Sequence, residues 1–253
     1  MVRLLHQIWP KPFFSTASMS FLGRVLSLVA AYAVRSEWSI LRCQLLTVYK
    51  AHLEEQDCRP APILVHLLIS GEDHRFFHHA GFDLRAICRA IYRHVFWGIQ
   101  EGASTIEQQT VRILTGRYEK TIERKVREIL LATLVAEVIP KKFLPSIYLE
   151  IAYFGWRMNN FRQACKRLKL HPDGMSLEDA AAVVARLKYP EPRIAPLKRR
   201  SQIQHRKVHL MKLYRSHLKQ GVYKPLEETV DENENVQFLR IAKSAHEPLS
   251  AAE

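Results

Sequence analysis

Residues 71–83 read Gly-Glu-Asp-His-Arg-Phe-Phe-His-His-Ala-Gly-Phe-Asp, and they follow directly on the apolar run Ile63-Leu-Val-His-Leu-Leu-Ile69. Pro62 suits the first turn of a helix, so the run reads as a buried helix that delivers two adjacent carboxylates, Glu72 and Asp73, at its end. A carboxylate at the edge of an apolar pocket has its charged form disfavoured, which moves it toward the range of a general base. The plainer alternative is that the pair ends one helix and caps the next. His74 and His78 stand four apart and could share a helical face toward a metal. Without a third ligand they read more simply as a packing or surface pair.

Outward from this stretch the sequence is helical in pattern. Residues 83–97 carry apolar Leu84, Ile87, Cys88 and Ile91 at spacings of three and four, and 104–115, 121–138, 141–152 and 176–188 repeat the period. Residues 189–200 form a proline-broken loop, and 201–220 read as a basic helix. No strict alternation supports a large sheet, so the fold class is mainly α.

Two further strings carry chemistry. Glu101-Gly-Ala-Ser104-Thr-Ile-Glu107-Gln-Gln109 places Ser104 three residues before Glu107, the spacing of a capping box, yet a helix start with Ser, Thr and two Gln also suits a phosphate. Arg124-Lys-Val-Arg-Glu128 sets Arg124 and Glu128 one turn apart, either as a surface ion pair or as a diphosphate site.

The 253 residues are 47% hydrophobic and 25% charged, which excludes a wholly disordered or collagenous chain. The formal charge of +13 calls for an anionic partner. It is unevenly placed. Residues 1–50 hold six Lys/Arg against Glu37, and 186–224 hold twelve against Glu191, whereas 51–185 are nearly neutral and 225–253 are acidic. The basic stretches lack interleaved aromatics, so nucleic acid is not expected. Cys43, Cys58, Cys88 and Cys165 form no C-x-x-C pair and read as incidental thiols. Residues 21–34, FLGRVLSLVAAYAV, have the outline of a signal peptide, a short anchor or an interfacial helix, the plainer alternative being a buried helix of the fold.

Taken in order, Glu72-Asp-x-x-Phe76-x-x-His79-x-Gly81-x-Asp83, Gly102-x-Ser104-Thr105-Ile-x-Gln108-Gln109, Arg124-Lys125-x-x-Glu128 and Lys141-x-x-Leu144-x-x-x-Tyr148-Leu149, ending at Phe154-Gly155, resemble the peptidoglycan glycosyltransferase (transglycosylase) domain family. The likeness runs from about Pro62 to about Pro196. It implies a lysozyme-like helical domain with a membrane-proximal apolar helix, at the outer, periplasmic face of a bacterial inner membrane. It further implies polymerisation of lipid II into glycan strands with inversion and release of undecaprenyl diphosphate.

On that resemblance Glu72 is the general base on the acceptor hydroxyl. Glu128, Arg124 and Lys125 handle the leaving diphosphate, often with a divalent cation (magnesium or manganese) for which no dedicated site is identifiable. Asp73, Phe76, His79, Ser104, Thr105, Gln108, Gln109 and Arg112 match cleft-lining positions, Arg112 replacing the usual Lys. The expected division is a basic and apolar segment 1–59, a transglycosylase domain 60–224 and an acidic tail 225–253. Expected partners are lipid II, the growing glycan, the membrane surface and cell-wall assembly proteins.

The sequence also departs from the pattern. Glu107 stands for the usual Thr, Ile113 for Asn, Glu150 for Asn, and Ala136 for Glu beside Glu137; residues 156–170 lack the expected small residues. The alternative they raise is a non-catalytic relative that binds lipid-linked precursors or an assembly partner, with Glu107 placing an anion near the diphosphate. Ser216-x-x-Lys219 lacks an accompanying K-T-G and is read as chance.

Overall fold

A computed structural model of the chain describes residues 30, 32–54, 59–99, 101–172 and 174–227. Its helices are α1 (Arg35–Glu54), α2 (Pro62–Glu72), α3 (Leu84–Trp97), α4 (Ile106–Thr115), α5 (Ile122–Val138), α6 (Leu144–Ile151), α7 (Phe161–Leu168), α8 (Leu177–Lys188), α9 (Leu197–Lys219) and the single turn α10 (Lys224–Glu227). Among the described residues there is no strand, only isolated bridges from Gly155 to Met158 and to Glu191. The expectation of a mainly helical chain holds.

α2 is the central element. It begins with Pro62 in its first turn and buries Leu64, Val65, Leu67, Leu68, Ile69 and Ser70, which leaves almost no solvent face. α8 and α9 pack along it, and α6 touches it from the other side. α4 lies against α5, α6 and α1, so the ends of α2 and α4 meet beside one core. That core draws side chains from every helix except α3 and α10.

Two glycines permit the close approaches that shape the site. Gly81 has φ +86°, and a Cβ there would stand 2.4 Å from the Ala132 carbonyl oxygen, so the 71–83 loop seats on α5 only with glycine. At Gly71 a Cβ would meet Leu210 Cδ2 at 2.4 Å, and its absence lets α9 run against the end of α2.

Three features differ from the sequence reading. The loop expected over 189–200 ends early, because α9 starts at Leu197 with Pro196 as its N-cap, a place where a missing N–H costs nothing. α1 and α7 were not anticipated. α1, inside the segment assigned to 1–59, buries Trp38, Leu41, Leu45, Tyr49 and His52 at spacings of three and four, and they join the common core or line it. Most of residues 21–34 lie outside the described residues; Ala30 and Val34 are buried in the core. Among the described residues no helix is long and apolar enough to cross a membrane.

α3 has the expected helical period but the opposite environment. None of its residues is buried, and Leu84, Ile91, Tyr92, Val95, Phe96 and Trp97 are all exposed.

Candidate functional site

Glu72 is the last residue of α2. Its Oε2 accepts a hydrogen bond from Gln109 Nε2 at 3.3 Å, and its Oε1 lies 3.1 Å from Arg206 Nη2. Arg206 reaches across from α9 and also donates to the Gly71 carbonyl at 2.6 Å. The apolar setting expected for Glu72 is therefore not what the structure provides, because α9 brings a guanidinium to it. Behind Gln109 stands Tyr148 on α6, whose hydroxyl donates to Gln109 Oε1 at 2.7 Å. Burial, reinforced by the negative charge of Glu72, pushes the Tyr148 phenol far up, so it stays a proton donor. A donor phenol takes the amide oxygen of Gln109, which turns the amide nitrogen toward Glu72.

Gln109 and Arg112 are one turn apart on α4, and Arg112 begins the second cluster. Its Nε and Nη2 make a fork to the two oxygens of Glu128 at 3.0 and 2.9 Å. Lys125 Nζ reaches Glu128 Oε1 at 2.8 Å, and Arg124 Nη1 binds Oε2. Glu128 is 3% exposed. Burial, the largest influence, pushes its carboxyl up, but the hydrogen bonds and charges of Arg112 and Lys125 prevail and hold it below its ordinary value. Lys125 is lowered by burial and by the neighbouring Arg112 and Arg124, against the pull of Glu128. Ser104 Oγ accepts from Lys125 Nζ at 2.9 Å and Arg112 Nη2 at 3.2 Å. Three cations against one carboxylate leave a surplus of two positive charges facing a serine hydroxyl. That is the chemistry of an oxyanion site.

The remaining motif residues hold these clusters in place. Asp73 Oδ2 accepts from the Ile106 N–H at the start of α4 at 3.2 Å, and His79 Nε2 lies 3.0 to 3.1 Å from both Asp73 oxygens. Thr105, and not Ser104, is the N-cap of α4, accepting from Gln108 N–H while its hydroxyl donates to the Gly81 carbonyl at 2.7 Å. The capping box is thus corrected: the helix starts one residue later, which frees Ser104 for the cationic cluster. Gln108 is fully buried and accepts from Lys125 Nζ, so it steadies Lys125 from behind. Phe76 is fully buried beneath Lys141, whose Nζ is 4.1 Å from its ring centroid. His74 and His78 do not form a joint metal face; His74 stacks on His217 at 5.6 Å.

Glu107 is also corrected. It is fully buried, and its Oε1 lies 2.5 Å from Lys141 Nζ, so its charge is matched inside the scaffold and is not an anion facing the diphosphate cluster. Glu150 pairs with Arg162 at 3.1 Å, on the side of α6 that meets α7. Ile113 packs against the core.

No resident metal fits this donor set. At Glu128 cationic groups already engage both oxygens. Among the described residues the group spaced like ligands is Asp73, His79 and Glu107, with ligand atoms within 4.8 Å of one another. There Lys141 already supplies the positive charge, and Asp73 is taken by His79 and the Ile106 amide.

Sequence reasoning passed over Arg206, and quoted Lys141 and Tyr148 without giving either a task. Arg206 sits in a helix whose basic residues all look solvated. Its signal was position: it follows buried Ile203 by three residues and precedes buried Leu210 by four, which puts it on the packed face of α9.

A helical domain that sets one carboxylate on an amide and a single guanidinium, and a second within three cations, has the layout of a group-transfer enzyme with an anionic leaving group. The chain belongs to the transglycosylase family, whose model matches residues 24–214. It is similar to penicillin-binding protein 1A of Aquifex aeolicus, 34% identical over 129 residues, half of this chain and 18% of that protein. It is also similar to penicillin-binding protein 1A of Neisseria gonorrhoeae, 35% identical over 105 residues, 41% of this chain and 13% of that protein. The penicillin-binding protein 1A of Rickettsia typhi is 33% identical over 96 residues, 36% of this chain and 12% of that protein. The matched stretch spans less than a fifth of each relative.

Proposed function

We propose that the protein is a peptidoglycan glycosyltransferase that polymerises lipid II, with inversion, and releases undecaprenyl diphosphate. The observation that carries this reading is the contrast between the two carboxylates that α4 holds one turn apart, Glu72 through Gln109 and Glu128 through Arg112. Glu72, paired with Arg206 and aimed by Gln109, takes the proton of the acceptor sugar hydroxyl as it attacks the anomeric carbon. Arg112, Arg124 and Lys125 stabilise the negative charge that develops on the departing diphosphate, and Glu128 fixes their geometry.

Glu107 and Glu150, the substitutions that favoured a non-catalytic relative, are both ion-paired within the scaffold, which supports the catalytic reading. A hydrolase would have no use for a surplus of cations at the leaving group. The test is lipid II polymerisation by the purified protein: Glu72→Gln is expected to lower the rate by about 10² to 10⁴, and an unchanged rate overturns the assignment of the base.

We place the membrane contact at α3, in an inner membrane with the site on its outer face. The exposed Tyr92, Val95, Phe96 and Trp97 form an apolar edge, and Arg85, Arg89 and Arg93 lie on the same helix. Such a helix lies in the headgroup region with Arg85 toward phosphate, Arg89 and Arg93 being paired with Glu101. Replacing Phe96 and Trp97 together by Ser is expected to reduce co-sedimentation with anionic vesicles by about tenfold or more. Unaltered co-sedimentation removes α3 from the contact.

A further inference from the structure

The stretch after Gly155, where the resemblance loosens, builds a pocket of its own. Trp156, Arg157, Gln163, Lys166 and Arg167 line a cavity of about 310 Å³ between the α6–α7 connection and α7. The guanidinium carbons of Arg157 and Arg167 lie 4.5 and 4.8 Å from the Trp156 ring centroid, and that of Arg193 lies 5.4 Å from it. Arg167 Nη1 also donates to the Trp156 carbonyl at 2.5 Å. Stacking on an indole fixes the plane of a guanidinium and leaves its edge donors free.

No carboxylate lines the cavity, and none of these four cations has a carboxylate partner among the described residues. Other clustered arginines of the molecule are matched: Arg89 and Arg93 by Glu101, Arg117 and Arg127 by Glu37, Arg186 by Glu191. Arg157 in addition holds a left-handed backbone, φ +58°, which glycine would adopt at no cost and which a long side chain occupies at about 1 kcal/mol. The residue that makes this turn unfavourable is the one that extends the cationic wall.

We propose that the Trp156 pocket is a binding site for a phosphate-type oxyanion, distinct in its residues from the Glu128 cluster. Three unmatched cations lining one concave surface, with a fourth, Arg193, against the same indole, favour a multiply charged group, a phosphate monoester or diphosphate, over a single carboxylate. Arg157 and Arg167 give planar forks for its oxygens, and Lys166 supplies a point charge at the rim. The same group is presented by a soluble phosphate compound and by an anionic lipid headgroup.

The experiment has one arm for each source and uses the full chain. In the Arg124→Gln/Lys125→Gln background, which weakens the other oxyanion cluster, inorganic pyrophosphate is titrated calorimetrically with and without Arg157→Gly and Lys166→Gln. A soluble ligand predicts saturable heat that weakens by about tenfold or more in the added double variant. In parallel, vesicles of phosphatidylcholine with and without phosphatidylglycerol are co-sedimented with wild type and with Arg157→Gly/Lys166→Gln. A headgroup ligand predicts no pyrophosphate heat but about threefold or greater loss of binding to the anionic vesicles alone. Arg157→Gly relieves the left-handed turn, so its melting temperature is expected to equal or exceed that of its parent, which guards against unfolding as the cause. Heat and sedimentation both insensitive to the two substitutions overturn the site.

Discussion

Gln109 and Arg112, one turn apart on α4, serve two carboxylates held in opposite ways. Glu128 is enclosed: three cations bind it, burial pushes its carboxyl up and they hold it down, and almost none of it reaches solvent. Glu72 is held more loosely, by one amide at 3.3 Å and one guanidinium at 3.1 Å, and its side chain is 17% exposed. A carboxylate tied by three cations has no lone pair or mobility left for proton transfer, whereas a loosely held one beside open space can receive a proton. Position in the hydrogen-bond network, more than local sequence, separates a structural anion from a base. Three cations and one anion in the first cluster, one of each in the second, also place the surplus positive charge where a diphosphate leaves.

The largest effect that sharpens this contrast is expected from Glu128→Gln. Removing the anion leaves Arg112, Arg124 and Lys125 packed together without their counter-charge, a type of change that costs about 3 to 5 kcal/mol when fully buried. The cations here are partly exposed, so a loss of about 1 to 3 kcal/mol is expected, read as a lowered melting temperature. Because the folded state holds this carboxyl below its ordinary value, the stabilisation is fully present above about pH 4.5. It disappears as the pH falls through the lower, folded value. Wild type is therefore expected to lose stability on acidification in that window, and Glu128→Gln to show a flatter profile there. Equal stability and equal acid profiles of the two proteins break the comparison.

Much of this was legible in the residues, for identifiable reasons. Helices with one apolar face, such as α5 and α8, announce themselves by period, and Pro62 marks the start of α2. The Arg124-Lys125-Glu128 spacing placed the cations within reach of the carboxylate, because residues three and four apart on a helix are neighbours. What local spacing cannot carry is contact between distant segments. Glu107 looked like a capping or cleft anion until Lys141, 34 residues on, was found against it. Arg206 reaches Glu72 across 134 residues of sequence, through the space that Gly71 leaves open. The outward face of α3 was unreadable for another reason: amphipathic period says that a face is apolar, not what covers it.

The smaller effect concerns Arg206 and decides whether the loosely held carboxylate is merely tolerated or arranged. Arg206 is 11% exposed and contacts Glu72 and the Gly71 carbonyl. It acts as a positioning residue, fixing the rotamer of Glu72 from the side opposite Gln109. Arg206→Gln keeps an N–H donor on a shorter side chain and removes the charge. α9 keeps its other attachments to α2: Leu210 against Gly71, and His217 Nδ1 3.0 Å from Ser70 Oγ, which Tyr223 also engages. The variant should therefore stay folded while the base loses its aim. Misplacing a reacting group by a fraction of an ångström costs up to about a hundredfold, so kcat for lipid II polymerisation is expected to fall by about ten- to a hundredfold, with KM changed by less than about threefold. Arg206→Lys, which restores the charge but not the fork, is expected to recover part of kcat. A rise in KM with kcat intact would instead put Arg206 on the substrate, and would erase the distinction between an anion that is locked and one that is aimed.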